Sequence, residues 1–305
     1  MKYKSEELRI ETTTKCNYDC VMCPRELLTR DLETMSLETF IMLLDKVCTH
    51  DYIKLITLSG YGEAFMDPTL FEKMAIIKKR GYKLHLLTTG SLLTQERIDK
   101  LIELEVDELR FSHYGMSRST YKKVHKPFTQ RDLFYKTRDS ILDLLERKPS
   151  TMQVALEYII LEANKHEVED WKKYWLATKA DIVEIWKPHN WAKYHYRVIE
   201  GEGRRSCGRP FGGPIQIQVD GTVNMCCFDF DGELELGDLK TQELEDIMSG
   251  SALQTIQEAH TLNDYEGLLC DVCDQLQSHD DACVFTNYKD KPKRTNVTSS
   301  GFEVL

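Results

Sequence analysis

Hydrophobic and polar positions repeat with two periods along the first 190 or so residues, and the period switches back and forth. Positions 9–13 read as a short strand. Positions 37–47 then set Phe40, Leu43, Leu44 and Val47 on one helical face. The same alternation predicts strands over 55–59, 84–88, 108–112, 154–160 and 182–186, and helices over 68–79, 94–104, about 133–146 and 168–178. Pro68 suits a first helical turn, where its missing N–H leaves nothing unpaired. Strands alternating with helices join through right-handed crossovers into a parallel sheet. Six such units close only part of a cylinder. The expected fold class is therefore α/β, a partial (β/α)6 TIM-type barrel with its functional loops after the strand C-termini.

The pattern breaks after Lys187. Gly201, Gly203, Gly208, Gly212 and Gly213 cluster, and a strand over 215–219, an Asp220-Gly221 turn and a strand over 222–226 follow. This predicts a barrel over residues 1–200, a small cysteine-rich α+β domain over 201–288, and a polar tail over 289–305. Neither an internal repeat nor a low-complexity run interrupts the chain.

Composition narrows the class. A length of 305 residues accommodates one large and one small domain, and 41% apolar with 30% charged residues and only 8 prolines describes a chain folded throughout. The formal charge of -10 repels phosphate backbones and anionic lipid unless a local basic patch overrides it, so neither nucleic acid nor membrane is an expected partner. The opening residues hold no apolar signal segment, and no stretch approaches the roughly 20 apolar residues of a membrane helix. A cytoplasmic location is expected. In that reducing setting ten cysteines point to metal rather than to disulfides. Asn296-Val297-Thr298 matches a glycosylation sequon by chance in such a chain.

Cys16, Cys20 and Cys23 form C-x3-C-x2-C directly after the first predicted strand, where a barrel places its first catalytic loop. A zinc knuckle, the structural alternative, normally closes with a fourth protein ligand. Three thiolates on a four-iron cubane instead leave one iron open to an exogenous ligand. Residues 14–25, Thr-Lys-Cys-Asn-Tyr-Asp-Cys-Val-Met-Cys-Pro-Arg, resemble the radical S-adenosylmethionine (SAM) superfamily. The resemblance implies a [4Fe-4S] cluster whose open iron is chelated by SAM. It also implies a 5′-deoxyadenosyl radical that abstracts a substrate hydrogen, and a flavodoxin or ferredoxin-type electron donor.

Ser59-Gly60-Tyr61-Gly62-Glu63 is similar to the family's glycine-glutamate motif, which implies that Gly60, Gly62 and Glu63 bind the SAM amino group. Ala64 departs from the family's proline. Thr88-Thr89-Gly90 resembles the Thr-Asn-Gly turn with Thr89 in place of asparagine, and Ser112 corresponds to a serine near the SAM carboxylate or ribose. Thr88 and Ser112 are thus cofactor-binding candidates. His113 and Tyr114 replace the usual Ile-Asp pair.

Cys207, Cys226, Cys270 and Cys273 supply four further thiolates in an arrangement similar to the SPASM/twitch extension, which implies one auxiliary [4Fe-4S] cluster. A four-cysteine zinc ribbon is the alternative by ligand type. Cys270, Cys273, His279 and Cys283 stand where a full SPASM ending has four cysteines, so spacing leaves the fourth ligand open between Cys273 and Cys283, and Cys273 is the expected one. Cys227 and Cys283 are then candidate catalytic thiols that return hydrogen to a substrate radical, or buried inert cysteines; Cys48 belongs to packing. Trp186, His189, Trp191, Tyr194, His195, Tyr196 and Arg197 follow the sixth strand, either lining a polar pocket or sealing a domain interface.

The resemblance implies a radical SAM oxidoreductase acting on a small polar substrate of sugar, aminocyclitol or nucleotide-like character, a two-electron oxidation with the auxiliary cluster as acceptor. The alternatives are a redox-neutral epimerase with a cysteine hydrogen donor, a peptide-modifying maturase, for which the segment before Cys16 is short, a methyl or aminocarboxypropyl transferase, and a metal-binding scaffold without SAM cleavage.

Overall fold

The computed structural model describes residues 3, 5–47, 49–192, 205–276 and 282–288. Strand β1 (Glu7–Ile10) is followed by α1 (Leu37–Val47), β2 (Leu55–Leu58), α2 (Leu70–Lys79), β3 (Lys83–Thr88), α3 (Gln95–Glu103) and β4 (Glu108–Ser112). Helices α4 (Arg118–His125) and α5 (Leu133–Arg147), β5 (Gln153–Ile159), α6 (Val168–Leu176) and β6 (Ile182–Trp186) complete the barrel portion. Then come α7 (Arg209–Gly212), β7 (Ile215–Ile217), β8 (Thr222–Asn224), β9 (Glu235–Asp238), α8 (Leu244–Ser249), α9 (Ser251–Leu262) and β10 (Cys283–Thr286).

Among the described residues ten strands form one sheet in the order β10-β6-β5-β4-β3-β2-β1-β7-β8-β9. Strands β1 to β6 are parallel neighbours, the arrangement of a partial barrel. Alternation along each strand explains the layering. Leu8, Ile10, Ile56, Leu58, Leu84, Leu86, Leu109 and Phe111 are fully buried toward the helices. Between them, Arg9, Thr57, His85, Arg110, Glu157 and Glu184 point the other way, so the concave face is polar. There the Arg110 guanidinium donates to Glu108 at 2.5 Å, Glu157 at 2.6 Å and Glu184 at 2.9 Å. Side-chain caps fix helix starts: Thr94 accepts from the Arg97 amide at 3.3 Å, and Asp132 from the Phe134 amide at 3.1 Å.

Helix α1 and strands β4 and β6 have the bounds that periodicity predicts. The first strand starts and ends earlier than expected, because the side chains that follow it turn aside. The Thr13 hydroxyl donates to the Glu33 carbonyl at 2.8 Å and that of Thr14 to the Asp31 carbonyl at 2.8 Å. Helix α4 lies where no element is predicted. Strand β7 pairs in parallel with β1, so residues 215–238 extend the barrel sheet rather than forming a sheet of their own. Strand β10 pairs antiparallel with β6, at the opposite edge. Cys48, Tyr194, His195, Tyr196, Arg197, Gly201, Gly203, His279 and the tail 289–305 lie outside the described residues. Among the described residues no helix is long and apolar enough to cross a membrane.

Candidate functional site

The cysteine loop leaves β1 at the C-terminal end of the sheet and is pinned from several sides. The Glu63 amide donates to the Lys15 carbonyl at 2.8 Å, and the Cys23 amide to that of Cys20 at 2.9 Å. Arg25 donates to the Thr14 carbonyl and, at 3.1 Å, to that of Tyr61. Gly62 explains the closeness of the two loops: a Cβ there would lie 2.2 Å from the Thr13 carbonyl oxygen and 2.6 Å from that of Lys15. Burial, with Cys23 and Cys16 as neighbours, pushes the Cys20 thiol well up, and burial pushes Cys23 to about 12. Thiols so placed become thiolates when a metal compensates their charge.

Gly60, Gly62, Glu63, Thr88 and Ser112, predicted as cofactor-binding, line one cavity with Cys16. Within it the Glu63 carboxylate is engaged by the protein. It accepts from the Thr88 hydroxyl at 2.5 Å, from the Thr89 amide and hydroxyl, both at 2.8 Å, and from the Phe65 amide at 3.3 Å. Glu63 thereby fixes the turn after β3 against the turn after β2. Gly60 has a second role that its motif does not reveal: a Cβ there would meet Glu11 Cγ at 2.4 Å. Glu11 accepts from Arg30 at 2.8 Å and from the Tyr61 amide at 2.9 Å.

Cys207, Cys226, Cys270 and Cys273 come together across the chain: Cys273 senses the charge of Cys207 and Cys270, and Cys226 that of Cys273. Beside them Arg209 is 2% exposed, and its Nη1 and Nη2 have no hydrogen-bond partner among the described residues. Its charge faces Cys227, Cys226 and Cys207. A buried guanidinium with orphaned donors facing three cysteine sulfurs, two of them in the expected ligand set, fits an anionic thiolate cluster. Among the described residues no three Cys, His, Asp or Glu converge as the ligands of one ion do. A cubane binds its thiolates through separate irons, so its ligands stand further apart than those of zinc.

Of the two candidate catalytic thiols, Cys227 lines a larger cleft of about 330 Å³, and Cys283 is not among the residues lining it. Cys283 sits on β10 opposite Trp186, its thiol 3.4 Å from the Phe285 carbonyl. The Cys226 hydrogen bond and the nearby Arg209 hold the Cys227 thiol low. The cleft also touches Cys16, Cys20, Cys23 and Cys226, so one space opens on both cysteine groups. Its wall includes Tyr61, His189 and Trp191, with ring centroids 4.1 Å apart between His189 and Trp191 and 5.7 Å between Tyr61 and Trp191. Trp191 is anchored by donating to the Met22 carbonyl at 2.6 Å. The floor is polar, with Arg9, Glu11, Gln216, Gln218 and Asn224.

Sequence reasoning singled out neither Glu11, Arg30 nor Arg209. The signal for Glu11 was present: Glu7, Arg9 and Glu11 alternate with Leu8 and Ile10, which marks a polar inner face. Arg209 carries no local signal, since its role depends on cysteines distant in sequence.

Comparison with known proteins agrees with this architecture. The radical SAM superfamily model matches residues 10–174, and the SPASM iron-sulfur cluster-binding domain matches residues 207–274. The chain belongs to the radical SAM superfamily, with a C-terminal SPASM-type domain, and its cofactors are [4Fe-4S] clusters and SAM. A Pyrococcus furiosus protein, the tungsten-containing aldehyde ferredoxin oxidoreductase cofactor-modifying protein, is 35% identical over 112 residues, which are 37% of this chain and 30% of that protein. A probable GTP 3′,8-cyclase of Saccharolobus islandicus is 30% identical over 163 residues, 53% of this chain and 50% of that protein. The chain thus matches half or less of the length of these curated relatives. Among solved structures, BtrN in complex with AdoMet and 2-DOIA superposes with a TM-score of 0.62 at 17% identity, covering 90% of this chain and 94% of that one. Streptococcus suis SuiB bound to precursor peptide SuiA gives 0.67 at 10% identity, covering 90% and 71%. At these identities the likeness is one of fold.

Proposed function

We propose that the chain is a radical SAM oxidoreductase that removes hydrogen from a small polar substrate held in the cleft between the two cysteine groups. The observation that carries this reading is the shared cleft, which reaches Cys16, Cys20 and Cys23 on one side and Cys226 and Cys227 on the other. In this reading Cys16, Cys20 and Cys23 hold the cluster that binds SAM, and Cys207, Cys226, Cys270 and Cys273 hold the auxiliary cluster. Gly60, Gly62 and Ser112 flank SAM, with Glu63 and Thr88 bracing the cavity behind it. When bound, these groups supply a hydrogen-abstracting 5′-deoxyadenosyl radical and an acceptor for the second electron of a net two-electron oxidation. The chain's own part is placement. Gln216 and Gln218 offer hydrogen-bonding groups to a hydroxylated or aminated substrate, while Tyr61, His189 and Trp191 shield it from water. The fold likeness to BtrN, solved with AdoMet and 2-DOIA, extends over nearly the whole length of both chains and supports a substrate of that size.

A second reading is redox-neutral epimerisation with Cys227, in its protonated form, as the hydrogen donor, favoured by its position on the cleft. Iron and sulfide analysis with electron-resonance spectra of anaerobically reconstituted protein tests both. Two clusters in the wild type, one in Cys16→Ala/Cys20→Ala/Cys23→Ala, and SAM cleavage only in the former are expected. A single cluster in the wild type would remove the electron acceptor and leave the epimerase reading. Iron without SAM cleavage would sink both.

A further inference from the structure

The segment 118–138 contains seven Lys or Arg residues and one acid, Asp132, in a chain whose formal charge is -10. Lys122, Lys123, Lys126 and Arg131 are exposed and take no ion-pair partner among the described residues. The other bases of the segment are partly engaged: Arg118 pairs with Asp132 at 2.7 Å, and Lys136 donates to the Ser91 carbonyl at 2.9 Å. Among these charges stand two exposed aromatic rings, Phe128 at 68% and Tyr135 at 45%. Arg118, Lys122, Arg131 and Phe134 help to line a surface cleft there. A basic rim around exposed aromatic rings has the composition of a protein-docking surface rather than of an ordinary solvated face.

The position of this surface gives it a use. Lys126 adopts φ 43°, which ends α4, and residues 124–128 run against the cysteine loop. The Asp19 amide donates to the Lys126 carbonyl at 3.1 Å, the Phe128 amide to that of Asn17 at 3.1 Å, and the Val21 amide to that of Val124 at 2.9 Å. The Tyr18 and Tyr121 hydroxyls hydrogen-bond at 2.8 Å, and Cys20 Sγ lies 3.5 Å from His125 Nδ1. Lys122, Lys123, Lys126, Phe128 and Arg131 do not line the cleft, so the basic surface lies outside it while its segment is bonded to the loop that carries Cys16, Cys20 and Cys23. Substrate and SAM occupy the cleft, so an electron from a protein donor has to arrive from elsewhere.

We propose that the surface formed by Lys122, Lys123, Lys126, Phe128 and Arg131 docks an acidic one-electron carrier protein and that its electron enters through the 124–128 segment. The inference rests on the reading that Cys16, Cys20 and Cys23 hold a reducible cluster. The step is a single electron transfer: the carrier's reduced cofactor is oxidised by one electron, the cluster is reduced by one, and no bond or proton moves. A compact acidic protein meets only the basic patch. An extended polyanion such as RNA, or an anionic bilayer, also meets the negative field of the rest of the chain. Transient redox partners use small interfaces, a scale that one helix and one turn provide.

The test compares wild type with Lys122→Glu/Lys123→Glu/Lys126→Glu, both reconstituted anaerobically. Reduction of the cluster by photoreduced flavodoxin is followed by stopped flow across a range of salt concentrations. Dithionite, a small reductant that needs no docking, serves as the control for cluster integrity. A second control, Lys79→Glu/Lys83→Glu/Lys173→Glu, reverses three exposed lysines away from the cysteine loop. The expected result is a bimolecular rate at least tenfold lower at low salt in the triple variant, converging with wild type at high salt, with dithionite reduction and the second control unchanged. Equal flavodoxin rates in wild type and triple variant would overturn the proposal. So would loss of binding to single-stranded RNA or to phosphatidylserine vesicles with the flavodoxin rate intact, which would assign the patch to a polyanion. Failure of dithionite to reduce any cluster in wild type would instead remove the underlying cluster reading and the proposal with it.

Discussion

The phenol of Tyr61 donates a 2.5 Å hydrogen bond to the carbonyl of Cys227, joining the glycine-rich turn after β2 to the chain beside the second cysteine group. The same ring packs edge-on against Phe230, with centroids 6.1 Å apart, and lies under the Arg30 guanidinium. Tyr61 therefore holds the cleft at a set width.

Tyr61→Phe keeps the ring and removes one buried hydrogen bond, leaving the Cys227 carbonyl without that donor. A loss of about 1 kcal/mol is expected in urea unfolding of the metal-free protein, with both clusters still assembling because every cysteine remains. An unchanged urea midpoint would show that the bond does not tie the two halves together.

Gly62→Ala acts on the other side of the same turn. The added Cβ meets backbone carbonyl oxygens of Thr13 and Lys15, which cannot rotate away as a side chain can. The cysteine loop must shift, so, with Cys16, Cys20 and Cys23 as the proposed ligands of the SAM-binding cluster, iron at that cluster and SAM cleavage should both fall at least tenfold while the auxiliary cluster persists. Gly81→Ala is the informative control: Gly81 has φ +83° but open space around its Cβ. It should cost about 1 kcal/mol of stability and leave iron content untouched. Normal iron loading in Gly62→Ala would refute the steric account.

How much of this was legible in the sequence differs from element to element. Helix α1 was readable to the residue because its four buried positions fall on one stripe and little else competes. Helix α4 was not, because its buried face is Thr120, Tyr121, Val124 and His125, half of it polar. The cysteine spacing and the glycine motif announced themselves locally. Their meeting did not: the contact between Gly62 and the carbonyls of Thr13 and Lys15 spans nearly fifty residues and depends on β1 and β2 being parallel neighbours. The pairing of β7 with β1 was hidden for the same reason, since a three-residue strand carries no mark of its partner.

His113 gives a prediction in pH. Its ring is 1% exposed among Tyr121, Phe134 and Trp175, and neither nitrogen has a hydrogen-bond partner among the described residues. Burial, helped slightly by the Arg138 charge, lowers its pKa from 6.5 to about 4. Between those values the unfolded chain binds the proton and the folded one does not. The stability contributed by the neutral ring is therefore fully present above about pH 6.5 and is lost as pH falls toward 4. His113→Phe removes the titrating group while keeping a ring, so its urea midpoint should fall less steeply than that of wild type across this window. Parallel slopes would mean that His113 finds a proton-stabilising partner in the folded state.

Arg209 carries a prediction that separates charge from packing. Its guanidinium is buried with orphaned Nη donors, a costly state in the absence of an anion, and it faces Cys227, Cys226 and Cys207. Together with the Cys226 hydrogen bond, the same charge holds the Cys227 thiol low in the metal-free protein, so Arg209→Met, which leaves that thiol without its buried counter-charge, should destabilise the metal-free protein at neutral pH and less so near pH 5, where Cys227 regains its proton. With the auxiliary cluster assembled the same charge also acts on the cluster. The positive charge favours the reduced, more negative cluster, and its removal should make reduction at least tenfold less favourable, a fall of about 59 mV in midpoint potential for one electron. Arg209→Lys retains the charge without the planar fork and should fall between the two. The potentials are best measured by redox titration with electron-resonance detection in a Cys16→Ala/Cys20→Ala/Cys23→Ala background, where the auxiliary cluster alone contributes. A midpoint in Arg209→Met equal to that of its parent would assign Arg209 to packing and show that other groups set the potential of the cluster.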